Sequence, residues 1–261
     1  MLKTFDKNHI TALSKKYYAA QPFPHLVIDD YLDKTFAKKL EKECRLASHN
    51  IDASNGFTQT GKVALNDWSL FSPLIEKTCC YFNSGSFIHL LEQITGIHNL
   101  ISDPFLAGGV HKTFRGGYLK MHTDFNFSKR LDLHRRINVL YYLNSDYKEE
   151  FGGELLLSLS PAKEEISSMK AIEPVFNRLV IFNTNDKTFH GHPLPHSFPQ
   201  GVARTSLAVY YYSTKKPLSE RNRLTTETTK YVPTKDDSIK AKDGSLKSRI
   251  GYYLRRWTPF G

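Results

Sequence analysis

The chain has 261 residues, 40% hydrophobic and 24% charged, with a formal net charge of +10; this is the balance of an ordinary folded domain, not of a disordered or fibrous chain. No apolar run reaches the roughly 18 residues a spanning helix requires, which argues against a helical membrane anchor. Three cysteines, Cys44, Cys79 and Cys80, suit neither a disulfide framework nor a zinc ribbon, and the opening MLKTFDKNHI lacks the apolar centre of a signal peptide, so a reducing, cytoplasmic setting is expected.

In chain order, Pro24–Ile28 reads as a short strand. Asp33 is placed to cap a helix over about 34–48, where Phe36, Leu40, Cys44 and Ala47 recur at helical spacing. Residues 49–67 are polar and contain glycine, which predicts a loop. A second helical stretch covers about 70–95, with a break expected near Asn83-Ser84-Gly85. From about residue 105 the pattern changes to strands at Leu119–Phe127, Ile137–Leu143, Glu154–Ser160, Leu179–Asn183 and Ser206–Tyr212. Glycine, asparagine and proline turns separate them, and 14 Tyr and 17 Phe favour sheet. The expectation is a mainly β domain over 1–213, with helical support over about 1–100 and a β core over about 105–213. Residues 214–261 form a basic arm: from Lys215 onward there are 12 Lys/Arg and 5 Asp/Glu. Residues 213–248 are expected to be irregular, with Arg249–Trp257 docking back. Such an arm suits nucleic acid, anionic lipid, an acidic substrate or simple solvation, but no helix-turn-helix, zinc-finger or RNA-recognition signature accompanies it.

The most informative stretch is His122-Thr123-Asp124. On a strand, alternate side chains share a face, so the imidazole and the carboxylate project together. With one more histidine they make the two-histidine, one-carboxylate set of non-haem Fe(II) oxygenases. An ordinary hydrogen-bonded His–Asp pair has the same spacing. Candidates for the third ligand are His190 and His192. His190 is favoured because it follows Phe189 directly, whereas Gly191 and Pro193 suggest that the chain is turning away at His192. His111, His134 and His196 have surface or loop readings.

A strand beginning at Arg204 alternates Arg204, Ser206, Ala208 and Tyr210 on one face. An inward arginine needs a partner, and a ligand carboxylate would supply one through a forked pair. Tyr142, which shares a face with Asn138 and Leu140, is placed to add a hydroxyl to the same carboxylate; a core tyrosine and a strand-end arginine are the plainer alternatives.

In their order, several segments resemble the prolyl-hydroxylase-like group of Fe(II)/2-oxoglutarate-dependent dioxygenases: Gly116–Asn126, Arg136–Asn144 with Gly152-Gly153-Glu154-Leu155, Asn177–Phe182, Phe189–Pro193, and Arg204–Tyr212. The similarity covers about 105–213, with a weaker trace at Pro22–Asp29. The resemblance implies a double-stranded β-helix, a jelly-roll or cupin-like core with supporting helices. It implies Fe(II) held by His122, Asp124 and His190, with His192 as the alternative third ligand. It further implies that 2-oxoglutarate contacts Arg204 and Tyr142, and that O2 is consumed as succinate and CO2 form and a substrate C–H bond is hydroxylated. Tyr118, Lys120, Asn126, Asn138, Leu140 and Ser206 are the further residues expected to line the site. The 14 residues from His190 to Arg204 exceed the spacing of many prolyl hydroxylases, so Pro193–Gly201 is expected to bulge as a loop. The substrate expected is a prolyl residue in a peptide or a free amino acid, with a sugar, lipid or specialised metabolite as the alternative. A cupin-like zinc or nickel hydrolase or isomerase, or a non-catalytic polyanion-binding protein, are the readings from other classes.

Overall fold

The computed structural model describes residues 5–103, 108–216 and 224–235. Its first element, α1 (Lys7–Ala19), has no counterpart among the expected elements. Its apolar stripe is thin, and only Tyr17 is buried; the start is set instead by Asp6, whose carboxylate accepts from the His9 N–H. Strand β1 (His25–Ile28) follows, then α2 (Lys34–Leu46), capped by Asp33 as its sequence predicts.

Residues 49–67 are not a loop. They form the hairpin of β2 (Ile51–Asn55) and β3 (Gln59–Leu65), and β3 pairs onward with β4 (Gly109–Thr123). Among the described side chains of this hairpin only Val63, Ala64 and Leu65 are buried, so alternation is too faint to register in the sequence. The expected break at residues 83–84 divides α3 (Pro73–Phe82) from α4 (Gly85–Thr95). Ser72 and Ser84 cap the two helices. Among the described residues no helix is long and apolar enough to cross a membrane.

The remaining strands are β5 (Phe127–Ser128), β6 (Leu133–Tyr142), β7 (Leu155–Ser158), β8 (Lys170–Ile172), β9 (Arg178–Asn183), β10 (Phe189–His192), β11 (Arg204–Ser213) and β12 (Lys230–Tyr231). Pairing is antiparallel throughout, in the order β1-β9-β6-β11-β4-β10-β7-β8. The long strand β4 serves both halves. Its first part lies between β11 and β3, and its last part between β10 and β12. Curling brings the halves face to face: Phe23, Tyr142, Val180 and Phe182 pack against Leu155, Leu157 and Ile172. This is the mainly β, jelly-roll-like core with few helices that the sequence leads one to expect.

Strand alternation sorts the two faces. Ile137, Val139 and Tyr141 of β6, with Leu207, Val209 and Tyr211 of β11, join one core with Leu40, Ile75, Phe82, Phe87 and Leu91 of the helices. Each such buried apolar side chain contributes roughly 1.5–3 kcal/mol. The intervening residues face the concave side.

The C-terminal arm is not irregular throughout. Residues 224–235 run back along the sheet, where β12 pairs with β4 at Thr123 and His122. The Val232 N–H donates to Met121 O, and Asn126 is tied to Thr226 through both its backbone and its side chain. The physical reason is that the last part of β4 has an edge that β3 does not reach, and an unpaired strand edge recruits a partner. Arg249–Trp257 lies outside the described residues.

Candidate active site

The concave face encloses a cavity of about 240 Å³. At one pole His122, Asp124 and His190 converge, each offering one donor atom within 4.8 Å of the others. Register explains the convergence: His190 on β10 is directly opposite His122 on β4, so their rings share a face with centroids 4.3 Å apart. Asp124 follows at i+2, with Oδ1 3.7 Å from His122 Nε2 and Oδ2 3.3 Å from His190 Nε2.

The surroundings hold these groups in ligating form. His122 Nδ1 pairs with Lys120 O at 2.8 Å, which leaves Nε2 toward the carboxylate. Burial, reinforced by the neighbouring His190, pushes the His122 ring down to about 3 against the pull of Asp124. The ring is therefore a neutral imidazole, as a metal ligand must be. Burial opposes ionisation of Asp124, but Arg135 and the two histidines outweigh it and hold the carboxyl well below its usual range. Arg135 Nη2 lies 2.9 Å from Asp124 Oδ2, Asn138 Nδ2 donates to the same oxygen at 2.8 Å, and Arg135 Nε donates to Asn138 Oδ1. Tyr210 lies under the guanidinium at 3.5 Å. Two imidazoles and a carboxylate, buried and oriented by second contacts, fit a divalent ion with open positions.

At the other pole Arg204 is buried. Its Nη2 donates to the Tyr142 hydroxyl at 3.0 Å, and its Nε donates to Gly153 O at 2.5 Å. The tyrosine oxygen accepts from the arginine, so the Tyr142 O–H remains able to donate elsewhere. Tyr142 itself lies behind Arg204 and not on the cavity wall.

The other expected residues divide. Asn138, Leu140 and Ser206 line the cavity. Tyr118 and Lys120 do not: the Tyr118 hydroxyl donates to Phe57 O, and Lys120 Nζ sits 4.6 Å over the Phe57 ring. Strand β4 has one extra residue between the pairs His122↔His190 and Leu119↔His192. This bulge reverses which side chains face inward, so Leu119 lines the cavity in their place. Asn126 anchors the 224–235 segment, its amide donating to Leu224 O at 2.8 Å. His192 also lines the cavity, because the chain has not yet turned away; it lies outside the three-residue cluster. Burial and the nearby Arg204 push its ring well below the ordinary range. His196, which reads as a loop histidine, is buried against Phe198.

Sequence reasoning missed Arg135, Lys62 and Tyr231. Arg135 sits beside Arg136 with nothing in its spacing to single it out. Lys62 lies on the hairpin read as a loop, and Tyr231 on the arm read as irregular. The Tyr231 ring packs 5.2 Å from that of His122, and Thr229 joins it on the wall.

Residues 108–212 match the family model of the 2OG-Fe(II) oxygenase superfamily. The fold is similar to that of a Pseudomonas putida prolyl-4-hydroxylase, with TM-score 0.54 and 17% identity over 78% of this chain and 98% of that one. HygX from Streptomyces hygroscopicus, solved with nickel, 2-oxoglutarate and hygromycin B bound, gives TM-score 0.55 and 11% identity, covering 89% of this chain and 99% of that one. A Trichoplax adhaerens prolyl hydroxylase, in complex with a hypoxia inducible factor oxygen degradation domain peptide fragment, gives 0.54 and 16% over 80% and 94%.

Proposed function

From the match of residues 108–212 to the 2OG-Fe(II) oxygenase superfamily, we propose that this chain is such an oxygenase and hydroxylates a C–H bond of a prolyl residue in a peptide or of a free amino acid. In this reading His122, Asp124 and His190 hold Fe(II), and Arg204, positioned from behind by the Tyr142 hydroxyl, holds the far carboxylate of 2-oxoglutarate. The observation that carries it is the pairing of two poles in one cavity: three convergent donors at one end, and a buried arginine with its hydroxyl partner at the other.

When bound, iron and 2-oxoglutarate supply the oxidant from O2, and succinate and CO2 leave. The chain's own residues orient and insulate that chemistry. Lys120 O fixes the His122 tautomer. Arg135 and Asn138 keep Asp124 ionised and in one rotamer. Arg204 offers its guanidinium to the cavity, and the Tyr142 hydroxyl accepts from Nη2 and holds the group from behind. Phe125, Leu140, Phe182 and Tyr210 supply apolar wall, and Tyr231 covers the His122 ring; such a wall keeps water away from the reacting centre.

Two of the similar structures are prolyl hydroxylases, which supports the prolyl reading. HygX with hygromycin B bound supports a second one, the same chemistry on a sugar or specialised metabolite. The test is anaerobic addition of Fe(II) and 2-oxoglutarate to the purified protein. A visible metal-to-ligand charge-transfer band is expected, as is O2-dependent succinate formation that His122→Ala and Asp124→Ala abolish. Folded protein without the band would overturn the reading.

A further inference from the structure

Lys62 is a cation that the metal and co-substrate poles leave unused. On β3 it stands directly opposite Thr113 of β4, and Thr113 stands directly opposite Arg204 of β11. Opposed side chains share a face, so ammonium and guanidinium both emerge on the cavity wall, and both line it. Their Cα atoms are two inter-strand spacings apart, about 10 Å.

The other two cavity cations have partners. Arg135 is committed to Asp124 and Asn138. Arg204 is committed to Gly153 O and Tyr142 and, in the reading above, to 2-oxoglutarate. Among the described residues the Lys62 ammonium makes no hydrogen bond or ion pair, the residue's only pairing being the backbone ladder to β2 and β4. Burial, with Arg204 and Arg135 adding to it and Asp124 opposing, pushes its ammonium down to about 8. It is half-buried and still mostly charged at neutral pH, a cation on the cavity wall with no carboxylate paired to it. Charge counting points the same way. Asp124 and Arg135 cancel, and a dianionic co-substrate cancels a divalent metal. Arg204 and Lys62 then leave the site with two positive charges, which one or two negative charges on the substrate would neutralise.

We propose that Lys62 binds an anionic group of the substrate, a carboxylate or a phosphate, so that the substrate is a small acid and not an internal residue of a long peptide. This rests on the oxygenase reading above and narrows its substrate class. Gln59 and Thr113, also on the wall, offer polar groups beside the ammonium.

The test uses the charge-transfer band of the anaerobic Fe(II)–2-oxoglutarate protein as a binding signal. Free L-proline, other free amino acids and phosphate monoesters are titrated against their amides and their unphosphorylated alcohols. At least one free acid or phosphate ester is expected to perturb the band and to stimulate succinate formation, with its neutral partner weaker by on the order of tenfold to a hundredfold. Which arm responds separates carboxylate from phosphate. Lys62→Met is expected to abolish that discrimination while the 2-oxoglutarate concentration for half-maximal band stays within about threefold; Lys62→Arg restores part of it. Equal response to charged and neutral partners, no response to any anion, or a Lys62→Met effect confined to 2-oxoglutarate would each overturn the proposal and leave the oxygenase reading standing. Absence of the band in folded wild-type protein would remove both.

Discussion

Arg135 Nη2 approaches Asp124 Oδ2 at 2.9 Å, and the same guanidinium donates through Nε to Asn138, which in turn donates to that carboxylate oxygen at 2.8 Å. Three buried side chains, two on β6 and one just after β4, thus close a ring that fixes one oxygen of Asp124 and leaves the other toward His122. Arg135→Leu is expected to weaken divalent-metal binding about 10- to 100-fold, as loss of an outer-shell contact does. Calorimetric titration with Fe(II) under nitrogen, or with Co(II) in air, checks it; unchanged affinity would detach Arg135 from the metal pole.

The two histidines of β10 should behave differently. His190→Ala removes a donor from the convergent cluster and is expected to abolish tight metal binding. His192→Ala should retain one metal per chain, because His192 pairs with Leu119 across the bulge and lies outside the cluster. Metal analysis after dialysis distinguishes them, and the reverse outcome would exchange their roles.

Tyr142→Phe removes the hydroxyl behind Arg204 while keeping the ring under the guanidinium. The 2-oxoglutarate concentration for half-maximal succinate formation is expected to rise about three- to tenfold. Iron affinity should not move, since the change is at the far pole; a comparable loss of iron binding would contradict the assignment.

Gly191 separates the two histidines with no room for a side chain. A Cβ there would lie 2.8 Å from Leu119 O and 2.9 Å from Lys120 O, both backbone atoms of the paired strand. Gly191→Ala is therefore expected to push β10 off β4, costing about 1–3 kcal/mol and lowering Tm by several degrees in calorimetry.

Lys62 makes a pH prediction of definite sign. Its folded value of about 8 lies below the ordinary 10.5, so the folded state resists the proton. That penalty is fully present below about pH 8 and fades as pH rises toward 10.5. Lys62→Met should consequently melt no lower than wild type at pH 7, with any advantage shrinking by pH 9–10. Anionic-substrate affinity should fall as pH rises through about 8, approaching tenfold per pH unit. Burial lowers this value most, and of the charged groups that face it Asp124 opposes the shift while Arg204 and Arg135 add to it.

The sequence revealed most where side chains alternate without interruption. Ile137–Tyr142 and Arg204–Tyr210 split cleanly into helix-facing and cavity-facing sets, which is why Asn138, Leu140, Ser206 and Arg204 were legible as one surface. His122 and Asp124 were legible for the same reason. Tyr118 and Lys120 were not separable from them, because one extra residue in β4 reverses the faces and nothing local marks it. The β2–β3 hairpin was hidden by its polarity: it is held mainly by β4, and strand pairing with a distant segment leaves no periodic trace in residues 49–67. β12 is two residues long and exists because β4 has an edge to fill.

Lys62 on β3 and Tyr231 on β12 both flank β4 from the side opposite β11 and β10, and both lie outside residues 108–212. On the proposed reading, the residues that would hold iron and 2-oxoglutarate lie inside the matched segment, whereas Lys62 and the Tyr231 cover of His122 lie outside it. Two enzymes could share every residue of the matched segment and differ in what they hydroxylate through 59–62 and 229–231 alone. Exchange of those two short segments between relatives is accordingly the smallest graft expected to transfer substrate preference while leaving the iron and 2-oxoglutarate requirements in place.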